Sequence, residues 1–196
     1  AANPEWDDCR LRIQKLNDEH NGTMYITQGF IASSTSPKTT TTLGREGSDF
    51  TAAIFANCLE AEELTIWKDV DGLRNADPKR FPETKKIEHL SYFEAIELAF
   101  YGASIIHPNT LKPLQNKNIP LKVRSFINTE LKPSVIDGTE DYIEYVPSFI
   151  VKEKQTLMSI SARDYSFMNE HNRALVFNIM DELNIHANMT QVSALV

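Results

Sequence analysis

Cysteine is nearly absent from this chain: Cys9 and Cys58 are the only two, and they form no Cys-x-x-Cys pair. A disulfide-stapled secreted scaffold and a cysteine-built metal module are both excluded. Buried free thiols in a reducing compartment are the expectation, and with them a cytoplasmic location. Long apolar runs are missing too. None approaches the roughly 20 residues of a membrane span, and no signal peptide is visible, so no membrane partner is expected. Basic runs are lacking and the net charge is −7, which argues against non-specific nucleic-acid binding. The five histidines, His20, His89, His107, His171 and His186, are scattered without a ligand-like pair, and no metal site is expected on them. There is no Gly-x-x-x-x-Gly-Lys-Ser/Thr loop, no Gly-x-Gly-x-x-Gly fingerprint and no nucleophile elbow. Internal repeats and low-complexity tracts do not occur.

What is present describes an ordinary globular chain, 41% hydrophobic and 24% charged over 196 residues, enough for one domain or one and a half. It starts Ala-Ala-Asn-Pro without Met and stops on Ala194-Leu195-Val196, so a fragment of a longer protein is expected. The most informative stretch is residues 39–53. Four threonines run into Leu43-Gly44-Arg45-Glu46-Gly47-Ser48-Asp49, after which a helical pattern begins. Ser48 is a suitable N-cap, and Asp49 suits the positive end of a helix. Backbone amides at such a start can face an anion, and glycines let it approach. Arg45 can clamp a carboxylate or phosphate through two parallel bonds. Read from the residues alone, this is either an anion-handling loop or an ordinary glycine turn before a helix.

Along the chain, Trp6, Cys9, Ile13 and Leu16 mark an amphipathic helix over residues 5–20, closed by Asn21-Gly22. Alternation over residues 24–31 predicts a strand, residues 32–38 a loop, and Phe50, Ala53, Ile54 and Cys58 a helix. Residues 64–67 read as a strand. Strand, glycine loop, helix and strand make the βαβ grammar of a parallel sheet, where ligands sit beyond the carboxyl ends of the strands. The loop over residues 68–79 lies at such an end, with turns at Asp71-Gly72 and Asp77-Pro78 and no match to a calcium loop. Ser91-Tyr92-Phe93-Glu94 is a capping box. It opens a helix whose Phe93, Ile96 and Phe100 are expected in the core, with Gly102 as its stop. Pro108 starts another helix with Leu111 and Leu114 inward, and residues 119–124 read as a strand. Residues 131–147 change character and are the candidate linker. After them Met158, Ile160 and Ala162 alternate, Val176, Ile179, Met180 and Leu183 keep helical spacing, and Ile185, Ala187 and Met189 alternate again. That is half of a ferredoxin-like unit.

The wording of residues 41–49, Thr-Thr-Leu-Gly-Arg-Glu-Gly-Ser-Asp, closely resembles the signature of the aspartokinases, in the amino-acid kinase superfamily. Three further segments resemble that family in its own order. They are residues 23–30 with Gln28-Gly29-Phe30, Trp67-Lys68-Asp69-Val70-Asp71-Gly72 with Ala76-Asp77-Pro78, and Phe93-Glu94-Ala95 through Gly102-Ala103-Ser104-Ile105-Ile106-His107-Pro108. The tail, residues 156–193, resembles the first part of an ACT domain. The resemblance implies an α/β fold: a partial three-layer αβα sandwich of the amino-acid kinase type, over residues 1–136. A linker at 137–150 and a partial ferredoxin-like ACT unit at 151–196 would follow it.

The implied activity is MgATP-dependent phosphorylation of the L-aspartate side-chain carboxylate, the first step toward lysine, threonine and methionine. On that resemblance Arg45 holds the substrate α-carboxylate, Glu46, Gly47 and Ser48 line the same pocket, and Asp49 organises the reacting end. Lys68 and Asp69 border the nucleotide, Arg74 and Lys79 lie near its phosphates, and Ser104 stands where the family has a nucleotide-contacting lysine. Mg²⁺ bridges the phosphates. An amino-acid effector, lysine or threonine, would be gripped by Met168, Asn169 and Asn172 before the tail helix and by His186, Ala187 and Asn188 after it. A homodimer is expected. The sequence departs at Glu46, where the family has a second glycine, and at Arg74, where an aromatic is common. The family's first-strand Lys-Phe-Gly-Gly has no counterpart, so the chain alone is expected to be inactive. Two other readings stay open: an amino-acid-sensing and dimerisation module, and another amino-acid kinase such as glutamate 5-kinase or uridylate kinase.

Overall fold

The protein, as a computed structural model, is described at residues 3–20, 22, 24–103, 106–139, 146–163 and 167–193. It divides into two compact units, Ala1–Val151 and Lys152–Val196. The first unit runs α1 (Trp6–Glu19), β1 (Ile31–Ser33), β2 (Thr40–Thr42), α2 (Gly47–Leu59), β3 (Leu64–Lys68), β4 (Leu73–Arg74), β5 (Lys86–Ile87), β6 (His89–Ser91), α3 (Tyr92–Tyr101), α4 (Pro108–Gln115), β7 (Leu121–Ser125) and β8 (Ser134–Asp137). The second holds α5 (Glu170–Glu182). No described helix is long and apolar enough to cross a membrane.

A four-stranded sheet in the order β3-β7-β8-β6 organises the first unit. β7 lies parallel to β3 and antiparallel to β8, and β6 is parallel to β8. On β7 the alternation expected of a half-buried strand holds: Leu121, Val123 and Ser125 are buried, and Lys122 and Arg124 are less so. Helices α2, α3 and α4 give Ala53, Ala56, Tyr92, Ala95, Leu111 and Leu114 to one core with Ile66, Leu90, Leu121, Val123 and Ile136. A second apolar cluster joins α1 to α2: Leu43, Phe50, Ile54 and Cys58 against Trp6, Cys9, Ile13 and Ala32. Both thiols are free, and burial pushes each above its ordinary pKa.

Local signals place several elements. Ser91 and Glu94 form the full capping box, and Gly102 ends α3 with a left-handed backbone at φ 107°. Pro108 opens α4, where His107 caps the helix by accepting the Asn109 amide. Where β6 and β8 run side by side, His89 Nε2 lies 2.8 Å from Asp137 Oδ1, and the Thr139 amide donates to the same oxygen. Burial alone would raise the Asp137 pKa, but the hydrogen bonds from Thr139 and His89, with the His89 charge, together hold the carboxyl below its usual value. The buried Tyr92 hydroxyl donates to the Ile119 carbonyl, and burial, seconded by the charge of Asp137, pushes its pKa up to about 12.

Several expectations fail, each for want or presence of a partner. Residues 24–29 form no strand; Met24 is 87% and Ile26 94% exposed. Alternation without a neighbouring edge does not make a sheet. Instead β1 pairs antiparallel with β2 in a separate two-stranded sheet, so the expected βαβ unit is not formed there. Ser48 is not the N-cap: α2 begins at Gly47, and Glu46 occupies the cap with φ 52°. Phe93 and Phe100 are 68% and 65% exposed, because α3 turns Tyr92 and Ala95 inward. The candidate linker contains β8, whose Ser134 and Ile136 are fully buried. In the second unit α5 forms on the Asn169 cap, but among the described residues neither flanking segment is a strand and α5 buries no residue. A lone segment without a paired neighbour has no ladder to join.

Candidate active site

Three left-handed residues shape the glycine loop: Phe30 at φ 73°, Gly44 at φ 83° and Glu46 at φ 52°. Gly44 and Glu46 turn the chain from β2 into α2, while Phe30 lies just before β1. The Phe30 carbonyl accepts the Leu43 amide, and its own amide donates to Thr51 Oγ1 at 3.0 Å. The Phe30 ring then lies so close to Gly47 that a Cβ there would stand 2.7 Å from Cδ2. Glycine is therefore required at 47 by sterics. The first i→i−4 bond of α2 runs from the Phe50 amide to the Glu46 carbonyl at 3.0 Å. The amides of Ser48 and Asp49 precede it and face outward from the positive end of the helix.

Arg45 is exposed on the shoulder of this turn. Glu46, expected in the same pocket, sends Oε2 to the His107 amide at 2.8 Å, which ties the loop to the start of α4. Asp49 reaches the other way. Its Oδ2 lies 3.2 Å from Lys68 Nζ, at the carboxyl end of β3, and both side chains are largely buried.

Lys68 also lines a cavity of about 440 Å³, a volume suited to a small-molecule ligand. Arg74 and Lys79 line it as well; Asp69 and Arg45 do not. Arg74 is held by Thr84 and by Asp71, whose carboxylate is 3.4 Å away. Gly102 and Ala103 form part of the wall, while Ser104 lies outside the described residues. Part of the lining is aromatic, with Phe81 and Phe149 ring centroids 6.4 Å apart. The loop between β3 and β5 folds back as a β4–β5 hairpin rather than an open loop. Ser134 pins it: its Oγ accepts the Leu73 amide at 2.9 Å and donates to the Ile87 carbonyl at 2.6 Å.

The sequence reading missed Phe149 and its neighbours Ser148, Ile150 and Val151, which line the cavity although residues 148–150 fall within the linker expected at 137–150. No local pattern marks them; the Phe149 amide reaches the Asn75 carbonyl across the fold. In the second unit Asn169 Oδ1 accepts the Asn172 amide, and Asn188 joins Lys152 to Gln155 through bonds of 3.1 and 2.6 Å. Met168 is half-buried, and His186 and Ala187 are exposed.

The sequence profile of the amino acid kinase family matches residues 5–125. The chain belongs to that family. Among its amino acid kinase relatives is the bifunctional aspartokinase/homoserine dehydrogenase 2, chloroplastic, of Zea mays. It is 39% identical over 135 residues, covering 69% of this chain and 15% of the relative. Two solved structures of Escherichia coli aspartokinase III superpose on 99% of the chain at 29% identity. One is the complex with lysine and aspartate (TM-score 0.68), the other the complex with aspartate and ADP (TM-score 0.70). This chain covers 43% of each of those chains, so it spans less than half the length of these relatives. The α/β architecture is accordingly that of the amino acid kinase fold.

Proposed function

We propose that the chain is the nucleotide-binding part of an aspartate kinase, which uses MgATP to convert L-aspartate to 4-phospho-L-aspartate. The observation that carries this reading is the Asp49–Lys68 ion pair, which joins the Arg45 loop to the cavity lined by Lys68, Arg74 and Lys79. Arg45 would hold the substrate α-carboxylate, with Gly47 and Ser48 supplying close backbone approach and amides. The aspartate β-carboxylate oxygen would bond to the γ-phosphorus of ATP as the bond to the β-phosphate oxygen breaks, releasing ADP. Two anions must meet, so the work of the protein is positioning and charge neutralisation. Lys68, Arg74 and Lys79 supply positive charge along the phosphates. Asp49 keeps the Lys68 ammonium in place at the rim. Mg²⁺ would enter on the phosphates and neutralise them further. The aromatic lining of Phe81 and Phe149 suits a base. A homodimer and a cytoplasmic location belong to the same reading.

Calorimetric titration of MgATP into the 196-residue chain tests it. Saturable heat is expected, weakened at least tenfold by Lys68→Met or Arg74→Met, since each removes a charge-assisted contact. Heat with lysine or threonine but none with MgATP would instead favour the second reading, an amino-acid-sensing module. That alternative draws on the Lys152–Asn188–Gln155 cluster and on the lysine complex of the Escherichia coli relative. Its candidate grip is Met168, Asn169, Asn172, His186, Ala187 and Asn188.

A further inference from the structure

Glu46 is an anomaly within the Arg45 loop. Its backbone sits at φ 52°, where a glycine is unstrained and an L side chain is not. Its side chain places a negative charge one residue from the guanidinium that would receive an anion. Both liabilities have one structural counterpart. Glu46 Oε2 accepts the His107 amide at 2.8 Å, a charge-assisted bond between residues 61 apart in sequence.

That bond has two consequences. First, it immobilises the loop. Gly47 is already wedged under the Phe30 ring, and Gly29 packs against Ser48, where a Cβ on Gly29 would stand 2.9 Å from the Ser48 Cα. Glu46 adds a tether on the other side, to the turn that starts α4. The anchor is firm: Ile106, before the turn, and Leu111 and Leu114, beyond it, are all buried in the core. Second, the bond engages the carboxylate with a backbone amide. Arg45 is exposed, and its fork stays open to an incoming carboxylate.

We infer that Glu46 is a positioning residue for the amino-acid substrate: by holding the His107 amide it fixes the Arg45 loop and keeps its own charge out of the anion seat. This rests on the aspartate-binding reading given above. The predicted selectivity is sharp, because the nucleotide cavity is lined by neither Glu46 nor His107.

The test compares Glu46→Ala, which removes the tether but keeps the same backbone demand, with Glu46→Gln, which retains an acceptor. L-Aspartate and MgATP are titrated separately into the full 196-residue chain and both variants, and the His107 amide is followed by ¹H–¹⁵N NMR. Glu46→Ala should weaken L-aspartate about tenfold, the scale of one charge-assisted hydrogen bond, and leave MgATP within about twofold. Its His107 amide proton should move upfield. Glu46→Gln should restore both the shift and the affinity for L-aspartate. If Glu46→Ala binds L-aspartate as tightly as the unsubstituted chain, or loses both ligands equally, the positioning role is overturned alone. No L-aspartate binding by the unsubstituted chain overturns the aspartate reading, and this role with it.

Discussion

Replacing Gly72 by Ala probes how the cavity floor is built. Gly72 has φ 121°, outside the region that L side chains tolerate, and a Cβ there would stand 2.6 Å from Ser134 Oγ. Lys86 Cε, at 2.9 Å, is the end of a flexible chain and can move away. The Ser134 hydroxyl cannot: it is fully buried and pinned between the Leu73 amide and the Ile87 carbonyl. The backbone strain costs about 1 to 3 kcal/mol. Displacing the hydroxyl adds about 1 kcal/mol for each of its two hydrogen bonds, so the total is about 3 to 5 kcal/mol. Against the roughly 5 to 15 kcal/mol that holds a domain together, that is a large loss. Urea unfolding followed by the fluorescence of Trp6 and Trp67 measures it. The mechanism is isolated by repeating Gly72→Ala in a Ser134→Ala background. With the hydroxyl already gone, only the strain remains, and the two substitutions should couple by about 2 kcal/mol. Additive effects, or a Gly72→Ala cost below about 1 kcal/mol, would refute the reasoning.

Acid stability should depend on Asp137. Its folded pKa lies below its unfolded value, so its contribution is present above the unfolded pKa and is lost as pH falls through the folded one. Asp137→Asn should lower the urea midpoint at neutral pH and flatten its fall below about pH 4, and an unchanged acid limb would count against the His89 and Thr139 contacts. At the alkaline end the sign reverses: Tyr92 rises from 10.0 to about 12, so its neutral form favours the fold below pH 10 and that support is lost between those values. Tyr92→Phe should remove about 2 to 3 kcal/mol of that alkaline dependence, measured as urea stability against pH. Ser91→Ala breaks the capping box and should cost about 1 kcal/mol, with a thermal midpoint unchanged within error as the contrary result.

Much of this was legible in the amino-acid order because the deciding interactions are local. A capping box needs only Ser91 and Glu94, a helix start only His107 and Pro108, and a half-buried strand only the alternation over Leu121–Ser125. The glycines at 44 and 47 with Arg45 between them mark the loop for the same reason. The tertiary structure alone decided what meets what. Periodicity shows that α3 has an apolar face but not which face finds a partner, and the core takes Tyr92 and Ala95 while Phe93 and Phe100 face outward. It could not tell the strand at Ser134–Asp137 from a linker, since a short strand is stabilised by its neighbours in the sheet. Nor could it join Asp49 to Lys68, Glu46 to His107, or Phe149 to the cavity wall. Those contacts span long stretches of chain, and only folding, which brings distant segments within hydrogen-bond reach, selects them.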